Sequence, residues 1–151
     1  MSMELEVLSD RRLTSTADWQ RAIEAEGFPL RLDSAVRLED ASGFFPATLR
    51  DQQTGFECFH DDATEMIESL GDKIFDRPWH FALGFRWTGS SMEELQAAWM
   101  AATAYAAATD GVVFDGEEGK VHTPEQARQQ IAAILRDVRR LEEISKRSET
   151  P

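Results

Sequence analysis

The 151-residue chain carries a formal net charge of −12, with 42% hydrophobic and 29% charged residues, the balance of a soluble globule rather than of a disordered tail. That length is most simply one domain, residues 1–151, able to bury a core without metal or disulfide support. A single cysteine, Cys58, excludes an internal disulfide framework and fits a reducing compartment.

In chain order, Met3, Leu5 and Val7 alternate with Glu4 and Glu6, the period of a half-exposed strand. The start MSMELEVL is acidic and lacks the character of a signal peptide. Ser15 or Thr16 caps a helix through Trp19, Ala22, Ile23 and Ala25, ended by Gly27. Phe28–Asp33 reads as a strand, and SAVRLEDASGFF as an irregular connection. Pro46–His60 has hairpin character, with ATLR and FECFH joined by the five-residue DQQTG. Asp62, with Glu65 three residues on, opens a short helix that Gly71 stops.

The stretch Trp79–Asp115 reads as strand, capped helix, strand. Phe81, Leu83, Phe85 and Trp87 share one face, and His80, Ala82, Gly84 and Arg86 the other. Ser90 and Ser91 each precede a Glu by three residues, and Asp110-Gly111 supplies the stop, with glycine in the left-handed turn. Leu95–Thr109 carries no charge and holds eight alanines, so the helix is covered on more than one side. It is the longest uncharged run and too short to span a bilayer, so the expected location is cytoplasmic, with no membrane partner. VVFD and KVH flank a tight reversal. Thr123, Pro124 and Gln126 then open a final helix with an Ala127, Ile131, Ile134, Leu135, Val138, Leu141 stripe, expected to fray past Ser145.

Strands separated by helices, with at least one hairpin, predict an α+β fold. The expected form is a mostly antiparallel sheet of five or six strands with three to four helices packed mainly on one face. The central strand–helix–strand leaves room for one parallel pair with a right-handed crossover.

No phosphate loop, nucleophile elbow, zinc-protease motif, paired-cysteine motif or calcium loop occurs, so neither cofactor nor metal is expected and no catalytic residue is assigned. Cys58 and His60 share a strand face, but their Cβ atoms stand roughly 6–7 Å apart, too far for an activated pair without a third group. His80 and Arg86 bracket Ala82 and Gly84. Those small residues either admit a ligand held by Arg86 or let the Ala-rich helix pack closely, and with His60 the set forms an alternative pocket.

The acidic signal is stronger. Glu57–Asp72 holds six carboxylates and no Lys or Arg. Asp61, Glu65, Glu68 and Asp72 are spaced to share a helix face, opposite Ala63, Met66, Ile67 and Leu70. From Glu125 onward six bases meet five acids, leaving the preceding body near −13. Such a body disfavours nucleic acid and anionic membranes and suits a basic protein partner. The stripe and the Glu117, Glu118 turn are the candidate partner-binding residues.

The runs SGFFPATLRDQQTGFECF and HFALGFRW, followed by the Ala-rich helix and DGVVFDGEEGK, resemble a family of small bacterial α+β proteins of the toxin-immunity type. The likeness covers roughly Ser42–Lys120, and its motifs (GFFP, GFE, GVVFD) are structural, carrying no catalytic residue across. It implies a cytoplasmic, acidic, non-catalytic protein that neutralises a basic toxin. The other reading is a small-molecule binder or small enzyme with a pocket beside strand 80–87.

Overall fold

The structure is a computed structural model that describes residues 2–71 and 74–149. Seven strands form one antiparallel sheet: β1 (Ser2–Ser9), β2 (Leu30–Leu32), β3 (Ser42–Leu49), β4 (Gln52–Asp61), β5 (Phe81–Thr88), β6 (Val112–Asp115) and β7 (Lys120–His122). Their order across the sheet is β2-β3-β4-β5-β1-β6-β7. The α-helices among the described residues are α1 (Thr16–Ala25), α2 (Ala63–Leu70), α3 (Met92–Thr109) and α4 (Pro124–Glu149), with a 3-10 turn at Leu38–Asp40. This is an α+β fold with more strands than the five or six expected. The short β7 pairs with β6 across the acidic reversal that VVFD and KVH flank.

Among the described residues no parallel pair forms. β5 and β6 run in the same direction, but β1 lies between them and is antiparallel to both. The crossover through α3 therefore spans a strand that comes from the start of the chain.

The helices divide unequally. α1, α3 and α4 cover one face, where Trp19 and Ile23 of α1 and Ala127, Ile131 and Ile134 of α4 join Leu5, Val7, Phe56, Phe85 and the alanines of α3 in the main core. Within it, Trp19 meets Phe45, Phe56, Phe85 and Tyr105, all at centroid distances of 5.4–6.0 Å. Its indole N–H donates to the Ala101 carbonyl at 2.9 Å, so the fully buried ring leaves no polar atom unpaired. Burying a large side chain in this way stabilises by roughly 1.5–3 kcal/mol. In α3, Trp99 and Ala102 are 3% and 0% exposed. Its alanines let the helix lie close to the sheet and to two neighbouring helices at once, as the charge-free sequence implied.

Local signals explain the boundaries. Ser15 accepts from Asp18 N, Asp62 from Glu65 N and Ser91 from Glu94 N, each relieving an orphan donor of the first turn. Thr123 and Gln126 make the reciprocal capping box of α4. Two expectations fail locally. Asp110 takes the left-handed conformation after α3, at φ 54°, not Gly111. Gly111 is needed because a Cβ there would strike the Leu8 carbonyl of β1. The β3–β4 loop is Arg50-Asp51, both at positive φ, rather than DQQTG. Two such residues match the right-handed twist of the strands, and so SGFF and QQTG, read as connections, are strand.

Candidate functional site

The sheet's second face is covered by less. β1 presents Glu4, Glu6 and Leu8 to it. In register alongside stand Arg86, Gly84 and Ala82 of β5, then Glu57, Phe59 and Asp61 of β4. At one end, Ala63 of α2 with Phe75 and Trp79 closes over Leu8, Ala82 and Phe114 in a second, smaller core. The Ala-rich helix lies on the opposite face, so Ala82 and Gly84 do not serve its packing. Ala82 instead seats this smaller core, and Gly84 makes room for side chains.

Beyond this core the second face opens into a groove of about 560 Å3. Glu65, Met66 and Ser69 of α2 with its cap Asp62 form one wall, the Gly116 and Gly119 turn closes the far side, and Glu4, Glu6, Asp61, Arg86 and Phe114 lie between. A larger open groove, about 740 Å3, runs past the β3–β4 turn and the start of α3. Its charged lining is mostly exposed, as at Arg31 and Glu93, and gathers no set of buried ionisable groups.

At the floor of the acidic groove, Glu6 and Asp61 reach from the strands on either side of β5 and meet over Gly84. A Cβ on Gly84 would collide with Asp61 Oδ2 and would stand 2.8 Å from Glu6 Oε1. Burial pushes the Glu6 carboxyl up to about 10, aided by its hydrogen bond to Asp61 and by the charges of Asp61 and Glu4, with Arg86 opposing. Glu6 Oε2 is buried and faces no ordinary donor among the described residues. Both observations have one explanation. The neighbouring oxygens belong to another carboxyl, and the pair is satisfied when Glu6 keeps its proton and donates it to Asp61. Arg86 is engaged nearby, with Nε 3.7 Å from Glu4 Oε2 and its guanidinium 5.2 Å from the Phe59 ring centre.

The proposed partner-binding residues separate into groups. Asp61 is the last residue of β4, not part of the helix face, because the helix begins only after its cap Asp62. Glu65 and Glu68 are exposed on α2, and Glu65 borders the groove. Asp72 lies outside the described residues. Glu117 and Glu118 are exposed in the β6–β7 turn, where their backbone N–H groups donate to Asp115 Oδ1. That turn flanks the groove through its glycines.

His60, His80 and Arg86 do not converge: none of the grooves formed by the described residues is lined by all three. His60 follows Cys58 on the other face, with Nε2 2.8 Å from the Leu38 carbonyl oxygen. His80 precedes β5, is exposed, and pairs through Nδ1 with Asp10 at 2.7 Å. Only Arg86 reaches the groove. Cys58 is fully buried, and its thiol is pushed up first by burial and then by the charges of Glu6 and Asp61, the reverse of an activated nucleophile.

Glu4 and Glu6 were legible only as the solvated half of an alternating strand. Two signals in the sequence pointed further: Leu8 continues the Glu4, Glu6 face as an apolar residue, and Gly84 empties the opposing position. Among the described residues no group of three or more His, Cys, Asp or Glu is placed to hold a metal, and no helix is long and apolar enough to cross a membrane. A scan against protein-family models gives no match, and neither a search of curated proteins nor one of solved structures finds one.

Proposed function

We propose that this chain is a non-catalytic binding protein that receives a basic protein on its acidic second face, acting in the bacterial cytoplasm in the manner of an immunity protein that neutralises a toxin. One observation carries the reading: a groove of about 560 Å3 whose lining, among the described residues, holds five carboxyls (Glu4, Glu6, Asp61, Asp62, Glu65) against one base, Arg86. Met66, Leu70 and Phe114 add apolar surface to the same lining, so a lysine or arginine finds both a home for its aliphatic stem and a counter-charge for its head. Glu68, Glu117 and Glu118 extend the negative field around the rim and steer the approach. The net charge of −12 disfavours nucleic acid as the partner.

The second reading, a small-molecule binder beside β5, rests on Arg86 alone of its three residues. It fits a small cation better than an anion, because carboxyls surround that arginine.

The test is the salt-dependent association rate with a candidate basic partner, found by affinity capture and measured with purified components. Reversal of both Glu65 and Glu68 to Lys is expected to weaken binding at least tenfold, about 1.4 kcal/mol, acting chiefly on the association rate. Reversal of Glu24 and Glu143, exposed on α1 and α4, is the control. Equal effects from both pairs would reduce the acidic wall to a solvated helix face.

A further inference from the structure

The carboxyl pair on the groove floor gives the proposed association a property that an ordinary acidic surface lacks. Glu6 from β1 and Asp61 from β4 meet in the space that Gly84 of β5 leaves open. Both line the groove, and Glu6 Oε2 is shut away from solvent with no ordinary donor in reach among the described residues. The charged groups facing Glu6 are largely of its own sign: Glu4 on the same strand, Asp61 across the gap, and Asp62 and Glu65 on the α2 wall. β6 presents Phe114 in register with Glu6, and its Asp115 is in register with Leu5, which faces the main core. Among the described residues Arg86 is the opposing cation, and it is shared with Glu4 and stands in register with Glu57.

Two carboxyls in contact in a half-buried space cannot both ionise without a compensating charge. We infer that the groove exchanges a proton for a cation: the Glu6–Asp61 pair holds one proton in the free protein and releases it to solvent when a lysine or arginine side chain of the basic partner enters. This rests on the basic-partner reading and adds a regulation to it. The ammonium or guanidinium supplies the missing positive charge, and the doubly ionised pair then accepts hydrogen bonds from it. The raised affinity of free Glu6 for its proton makes the exchange visible near neutral pH. An ordinary exposed carboxylate is already ionised there, so an association made through such groups alone would be flat with pH.

The experiment is isothermal titration of the intact protein with an octalysine peptide at low, constant ionic strength, between about pH 6 and pH 8 and in two buffers of different ionisation enthalpy. Release of one proton per lysine bound in the groove predicts that Kd falls about tenfold per pH unit, with a buffer-dependent enthalpy of the matching size. Glu6→Gln, a neutral isostere of the protonated side chain, should bind with little pH dependence. A wild-type Kd that changes less than twofold over the range overturns the exchange while leaving the basic-partner reading standing. So does a Glu6→Gln protein that keeps the wild-type slope. Absence of octalysine binding at every pH, with the protein folded by circular dichroism, overturns both together.

Discussion

Glu6→Gln should make this protein more stable at neutral pH, an unusual direction for a change at a largely buried position. In the folded chain the Glu6 carboxyl is pushed from an ordinary 4.5 up to about 10, mainly by burial and then by its contact with Asp61. A carboxyl with a raised folded pKa contributes its full stability below the unfolded value, and that contribution declines as pH rises toward the folded value. Above 4.5 the unfolded chain releases its proton while the folded chain keeps it, and each pH unit then removes about 1.4 kcal/mol. By pH 7 the loss reaches about 3 kcal/mol, a large part of a marginal stability of about 5–15 kcal/mol. Glutamine escapes this loss, because it never ionises, and its amide still donates to Asp61. Urea unfolding of both proteins at pH 5, 7 and 9 is the assay. The two should be nearly equal at pH 5, with the variant ahead by an amount that grows with pH. Parallel profiles, or a variant less stable at every pH, would refute the assignment of a retained proton to Glu6.

Gly84→Ala places a methyl between the two carboxyls and should cost about 1–3 kcal/mol by thermal melting; a melt equal to wild type would show that the carboxyls do not depend on that space. Ala102→Glu puts an unpaired charge where α3 is fully buried and should cost several kcal/mol or prevent folding, read as loss of a cooperative transition in circular dichroism.

Much of the scaffold could be read from local chemistry. Capping at Ser15, Asp62, Ser91 and Thr123 depends on a side chain and a backbone N–H a few residues away, so sequence alone fixes where those helices start. Likewise, a charge-free run of alanine can be stable only if covered, and α3 is buried through most of its length. The turn at Arg50-Asp51 was hidden because neither residue is a typical left-handed one, and Gly55, which looked like the loop's end, lies within β4. Which strands become neighbours was also beyond local reading. β1 separates β5 from β6 by pairing across dozens of intervening residues, a choice made by the packing of both faces at once. The candidate site follows from that choice. Glu6, Asp61 and Gly84 are remote in sequence, and no spacing rule links them. Only the order β4-β5-β1 sets the two carboxyls either side of a residue without a side chain, and so turns an unremarkable strand glutamate into an acid that keeps its proton.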